Sequence, residues 1–197
     1  MGLTLAYGPG QTPLDEDEKE GLLIPTIATK EELDEYEQQN IEEAILGSLT
    51  RRFRLRQLFT EAFVKDVHKR MYGNVWAWAG EFRKTNKNIG VDKWQIAGGL
   101  KMLLDDAAYW TSNKTHPADE IAVRFKHRIV SIHCFPNGNG RHSRLMADIM
   151  AQHVFKQPVF TWGANSADTT DTRSIYLKAL RAADMGNIIP LLTFARS

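Results

Sequence analysis

A single cysteine, Cys134, stands in the 197 residues, so the chain can form neither an intramolecular disulfide nor a cysteine-built zinc site. No apolar run reaches the length of a membrane span, which argues against a helical membrane protein. Met1–Gly10 lacks the basic start of a secretory leader, and the expected compartment is the cytosol. Internal repeats and low-complexity segments are missing too, which removes solenoids and long linkers from consideration. Nucleic-acid binding has little to stand on: the one basic cluster, Arg51, Arg52, Arg54 and Arg56, is short and interleaved with Phe53 and Leu55. Neither a membrane nor a nucleic acid is an expected partner.

What is present describes an ordinary globular domain, 43% hydrophobic and 25% charged. The net charge of +1 hides an asymmetry: residues 1–50 hold two Lys and twelve Asp or Glu, a balance of −10, which leaves +11 on the remainder. A basic body suits a polyanionic ligand such as a triphosphate. The acidic front could dock over that body or be a solvated face.

The chemistry concentrates in His133-Cys134-Phe135-Pro136-Asn137-Gly138-Asn139-Gly140-Arg141-His142-Ser143-Arg144. Apolar, helix-compatible runs flank it on both sides. The glycines let the backbone turn sharply and bring amides close to a ligand. Those amides open the following helix, whose N-terminus favours anions. Arg141 and Arg144 share one face of its first turn and can flank the same anion. His133 ends the preceding helix with a near-neutral pKa suited to accepting a proton. A tight helix–helix turn with surface arginines is the bland alternative, but it must also explain a His, an Asn and two spaced Arg at one turn. Cys134 beside His133 invites a Cys–His nucleophile. Neighbours in sequence point apart on a helix turn, so a buried thiol is the better expectation.

These residues resemble the signature of the Fic domain family, His-x-Phe-x-(Asp/Glu)-Gly-Asn-Gly-Arg-x-x-Arg, with Asn137 in place of its acid. Thr12-Pro13-Leu14, Gly21-Leu22-Leu23-Ile24-Pro25, the stretch Asn74–Arg83 and Phe160-Thr161-Trp162-Gly163 are similar to the branch called mobile mystery protein B. The resemblance implies an all-α, Fic-type helical bundle with a short β-hairpin flap. It implies transfer of AMP from ATP to a Ser, Thr or Tyr hydroxyl of a target protein, with His133 as base. Gly138, Asn139 and Gly140 would bind phosphate oxygens, Arg141 and Arg144 the outer phosphates, and the residue at Asn137 a Mg2+ or Mn2+ ion. Ile89, Gly90 and Val91 would form the docking strand of the flap at 84–95, to which a target pairs by β-augmentation. An antitoxin or a second copy of the chain joins ATP and the target among the expected partners. Neutral Asn137 should weaken metal affinity, since Mg2+ prefers carboxylate and phosphate oxygens.

Many Fic proteins carry an inhibitory helix whose Glu pairs with the second arginine. Its strict motif is missing here, and Glu37 or Glu43 in the helix of residues 30–50 is the expected substitute as partner of Arg144. Other Fic-type transfers, removal of AMP, or a degenerate nucleotide- or partner-binding module are the competing readings. The Gly-Asn-Gly core favours AMP transfer over the kinase-like branch.

Along the chain, residues 1–29 read as an extended arm and 30–197 as the Fic domain. Thr29 with Glu32 forms a capping box for a helix to about Leu49, whose stripe is Leu33, Tyr36, Ile41, Ala44, Ile45 and Leu49. A helix from Thr60 buries Phe63, Val64, Val67 and Met71, with His68 structural. Trp76 and Trp78 read as packing anchors. Further helices are expected over 96–110, from Pro117 to 132 with His127 exposed, over 139–154, over 168–183 capped by Thr169 or Thr170, and over 188–194. Asp148 is placed to orient Arg144, His142 and His153 read as non-ligands, Ile175, Leu177, Leu180 and Ala183 pack the penultimate helix, and the resemblance implies that Tyr176 reaches the nucleotide pocket.

Overall fold

The computed structural model describes residues 12–164 and 172–197. The helices are α1 (Glu16–Lys19), α2 (Lys30–Thr50), α3 (Leu55–Leu58), α4 (Glu61–Tyr72), α5 (Ile96–Asn113), α6 (Ala118–Ile132), α7 (Asn139–Ile149), α8 (Thr172–Asp184) and α9 (Ile189–Arg196). A π-helical turn, Met150–Val154, extends α7. The fold is all-α, as expected.

Helix α6 runs through the middle because it is apolar on more than one side. Ile121, Ala122, Val123, Phe125 and Ile129 are all buried, packed by α5 on one flank and α7 on the other. Its partners offer matching stripes: Leu100, Leu103, Leu104 and Ala107 from α5, and Leu145, Met146 and Ile149 from α7. Helix α4 buries Phe63, Val64, Val67 and Met71, and α2 lies across it.

Helix α2 starts where the capping box places it. Thr29 accepts from the Glu32 amide at 3.2 Å while the Glu32 carboxylate accepts from Thr29 N at 3.1 Å. Its apolar stripe is thinner than the sequence suggests: Leu33, Ile41 and Ala44 are buried, but Tyr36 and Ile45 are exposed. Polar residues complete the buried face instead. Asn40 donates to Arg70 O at 2.9 Å and accepts from Asn74 N at 3.0 Å, tying α2 to the end of α4. Satisfied on both sides, a buried carboxamide costs little.

Three expectations change. Residues 84–92 form no β-hairpin; among the described residues the only β-pairing is a single bridge, Leu22 with Trp76. No second strand offers these residues a ladder, and their backbone groups bond elsewhere. The described part of α8 begins at Thr172, Thr169 and Thr170 lie outside the described residues, and Ile175 is exposed rather than packed. His127 is not free in solvent: its Nε2 lies 2.8 Å from Asp184. Residues 12–29 include the short helix α1, and Leu14 and Ile27 are buried within the core cluster.

Candidate active site

His133 follows the last residue of α6 and closes that helix in the left-handed conformation, φ 56°, ψ 62°, a costly state for a residue with a Cβ. Neighbouring groups enforce it. Buried Arg83 donates from Nε to the His133 carbonyl at 2.7 Å and from its own amide to Cys134 O at 2.9 Å. Gly90, at φ 93°, packs so tightly that a Cβ there would sit 2.5 Å from His133 Cβ. Burial, followed by the charges of Arg83 and Lys87, lowers the His133 pKa to about 4. The imidazole is therefore neutral at physiological pH. The Val130 carbonyl pulls weakly the other way, although Nδ1 makes no hydrogen bond of ordinary geometry. Nε2 points into the cavity, with the Thr12 hydroxyl 3.3 Å away.

Cys134 is buried and its thiol is pushed up to about 12, chiefly by that burial. No thiolate forms near neutrality, so the Cys–His nucleophile is excluded.

The turn after His133 is built by residues facing inward. Asn139 accepts from Phe135 N at 3.0 Å and donates to Phe135 O at 2.8 Å. Its side chain therefore staples the loop to Phe135, while the residue still lines the cavity. Fully buried His68 accepts from Gly80 N at Nδ1 and donates from Nε2 to Asn137 O at 3.1 Å, while its ring stacks on Phe135 at 3.8 Å. Gly138 has φ 76°, and a Cβ there would lie 2.4 Å from the Tyr72 ring. Both conformation and space require glycine.

The first bond of α7 runs from His142 N to Gly138 O at 2.9 Å. The amides of Asn139, Gly140 and Arg141 precede it and have no intrahelical acceptor. A Cβ on Gly140 would meet nothing within 4 Å, so packing does not explain that glycine. Its open side faces the cavity, where a ligand approaching the amides needs the room.

Arg141 and Arg144 follow on the same face. Arg144 makes no ion pair among the described residues; its guanidinium lies 4.6 Å over the Tyr176 ring and its Nε is buried without a partner. Arg141 is held by Glu37, Nη2 to Oε2 at 2.7 Å. Glu37, 6% exposed, also accepts from Trp76 Nε1 at 2.7 Å. The acid on α2 thus pairs with the first arginine, not with Arg144. Glu43 is exposed and takes no part. Asp148 does not orient Arg144 either: its carboxylate accepts from Phe160 N at 3.0 Å and Trp162 Nε1 at 3.1 Å.

One cavity of about 930 Å3 is lined by His133, Asn137 through Arg141, Arg144, Glu37, Tyr176 and, from the segment 84–92, Ile89 and Gly90. The segment 84–92 owes its shape to Arg83, which also bonds Thr85 O at 2.8 Å and Val91 O. Val91 N is turned on Ile132 O at 3.4 Å. Val91 is thus committed inward, and Ile89, exposed, with Gly90 forms the outer edge. Arg83 closes the aromatic stretch ending at Phe82, and no local pattern announces carbonyl partners such as His133, 50 residues away.

The residues at the turn do not fit a resident metal. Asn137 Oδ1 accepts from Gly138 N at 2.6 Å, and Glu37 is committed to Arg141 and Trp76. No group of three His, Cys, Asp or Glu among the described residues could hold an ion. His142 and His153 instead bond Val64 O and Ser48 O at 3.0 Å.

Residues 58–151 match the model of the Fic/DOC family. The protein adenylyltransferase Fic of Drosophila grimshawi is 30% identical over 136 residues, which is 66% of this chain and 26% of that protein; the one from Aedes aegypti is 28% identical over the same length. The chain thus spans about a quarter of the length of these curated relatives. Among solved structures, the BepC protein of Bartonella tribocorum with bound AMPPNP superposes with a TM-score of 0.70 at 17% identity, covering 92% of this chain and 97% of that one. Residues 134–508 of Fic-1 from C. elegans give 0.63 at 20% identity over 90% and 50% of the two chains. At these identities the likeness is one of fold. With the motif and the helical fold in agreement, residues 58–151 form a Fic domain of the Fic/DOC family.

Proposed function

We propose that the chain is a protein adenylyltransferase that moves AMP from ATP to a Ser, Thr or Tyr hydroxyl, with His133 as general base. One observation carries the reading: an imidazole held neutral faces the same cavity as the uncapped amides of α7 and the guanidiniums of Arg141 and Arg144. His133 Nε2 takes the acceptor's proton as the hydroxyl oxygen attacks the α-phosphorus. The bond from that phosphorus to the bridging oxygen breaks, and pyrophosphate leaves with its charge on the arginines and amides. Such transfer depends on positioning and charge neutralisation, which this site offers. The names of the curated relatives support the same activity.

The docking edge for a target segment narrows to Ile89 and Gly90. Glu37 acts as a restraint on nucleotide binding, since it occupies the guanidinium that would meet an outer phosphate.

ATP labelled at the α- or the γ-phosphate, offered with cell extract as the source of acceptor, tests the proposal. Transfer of the α-label that falls about 100-fold or more in His133→Ala is the expected result for a lost general base. Transfer of the γ-label indicates a kinase-type reaction, and no transfer a binding module.

A further inference from the structure

The acceptor side of the cavity already holds a hydroxyl. Thr12 is 7% exposed, and its Oγ1 lies 3.3 Å from His133 Nε2. With that nitrogen unprotonated, the hydroxyl is the donor, the relation a base needs with the nucleophile it activates. Thr12 lines the same cavity as the amides of 138–141 and both arginines.

The segment carrying Thr12 is firmly placed. Asn137 Nδ2 donates to Thr12 O at 3.4 Å, and Pro13 restricts Thr12 to an extended backbone. Lys87, on the flap, donates to Pro13 O at 3.3 Å and binds Asp15 at 2.9 Å and Glu18 at 2.6 Å. Thr85 adds a bond to Asp15 at 2.5 Å. Leu14 is buried beneath the segment, and Trp78 Nε1 donates to Glu18 O at 2.9 Å. Asp15 and Glu18 thus meet Lys87, and Thr12 and Leu14, ahead of α1, line the same cavity as Ile89 and Gly90.

We infer that Thr12 is an acceptor for this enzyme in cis: residues 12–18 occupy the acceptor subsite, and the chain adenylylates its own Thr12. The inference rests on the adenylyltransferase reading above. In the step, Thr12 Oγ1 bonds to the α-phosphorus of ATP, its proton passes to His133 Nε2, and the bond to the bridging oxygen breaks to release pyrophosphate. The product is a Thr12–AMP phosphodiester lying in the cavity where the hydroxyl lay. A chain modified in this way excludes other hydroxyls until the segment withdraws, so the reaction limits itself to one AMP per chain.

The test uses the full chain and its Glu37→Gln variant with ATP labelled at the α-phosphate and Mg2+ or Mn2+, followed by proteolysis and mass spectrometry to locate the label. Label on Thr12, gained with a first-order rate constant that does not change over a tenfold range of protein concentration, is the expected result. A tagged His133→Ala chain mixed with the untagged enzyme should stay unlabelled, because its Thr12 is served only by its own histidine. Thr12→Ser should keep the label and Thr12→Val lose it; site mapping on the unaltered chain decides the matter even if the valine variant folds poorly. Label confined to other residues, or labelling of the tagged His133→Ala chain at Thr12, overturns the inference and leaves the adenylyltransferase standing. No α-label on any chain or extract protein overturns both.

Discussion

Glu37 is where one atom decides most. Replacing it by Gln removes the negative charge from Arg141 but leaves a carboxamide oxygen for Trp76 Nε1, which now bonds Oε1 at 2.7 Å. A hydrogen bond to a charged group contributes roughly 1.5–3 kcal/mol, and 1.4 kcal/mol is a factor of ten, so releasing the arginine should strengthen ATP binding about tenfold. Calorimetric titration of Glu37→Gln against wild type measures this, and equal affinities would remove Glu37 as a restraint. The two motif glycines offer a contrast at the same scale. Gly138→Ala forces a Cβ against Tyr72 at 2.4 Å in a φ of 76°, and should cost about 2–4 kcal/mol of stability from the strained backbone and overpacking together. Gly140→Ala meets no atom and sits in a helix, where Ala is favoured over Gly by about 0.8–1.0 kcal/mol. It should leave the melting temperature unchanged or higher while weakening nucleotide binding, because its methyl group enters the space before the amides. Thermal melts with and without ATP separate the two.

At the scale of elements, the flap tests whether a loop can be held by one side chain. Arg83 supplies bonds to the carbonyls of His133, Thr85 and Val91, a fork that lysine cannot reproduce. Arg83→Lys should lose about 1–3 kcal/mol of stability through the carbonyls left without a donor. Hydrogen exchange over residues 84–92 should rise with it, and kcat should fall more than ATP affinity, since the His133 carbonyl loses its anchor while the α7 amides do not. Unchanged exchange in that segment would show that Gly90 packing alone suffices. The same segment marks the limit of reading by sequence. Helix α2 could be placed to its first residue because Thr29 and Glu32 are three apart, and α6 to within one residue because Pro117 and the four-four-three spacing of Ile121, Phe125, Ile129 and Ile132 are local signals. The turn was equally legible, as His133, Gly138, Arg141 and Arg144 lie within twelve residues. A hairpin over 84–95 was expected from Asn and Gly content, but those residues indicate only that the chain bends there. Whether a ladder forms depends on what else bonds the backbone, and here the partners are Arg83, Lys87 and the α6 terminus. Likewise Glu37 meets Arg141 across 104 positions and Thr12 meets His133 across 121, distances over which no periodicity carries information.

For the whole molecule, burial of imidazoles ties stability to pH. His133 and His142 are each lowered to about 4, mainly by burial, and burial also holds His68 well below its ordinary value. Unfolded, each takes a proton near pH 6.5, so the unfolded chain binds more protons as pH falls through the interval from 6.5 to 4. Stability is fully present above 6.5 and drains away across that window, by about 3 kcal/mol for each of His133 and His142. Asp148 acts in the opposite sense. Burial raises its pKa to about 6, so the folded chain protonates it first and regains about 3 kcal/mol on the way to pH 4. The histidines outnumber it, and urea midpoints should fall steadily from pH 7 to pH 4.5. Activity obeys a different rule, because only His133 has to be unprotonated. At pH 5.5 an exposed histidine would be about nine-tenths protonated and its catalysis about tenfold down. Buried His133 should keep kcat within about twofold of its value at pH 7.5, provided circular dichroism shows the chain still folded. A tenfold loss in a folded protein at pH 5.5 would mean that the site is wetter than its packing indicates, with Arg83 and Lys87 too well screened to hold the proton off. Survival of activity to the edge of unfolding would instead identify loss of the fold, rather than titration of the base, as what ends catalysis in acid.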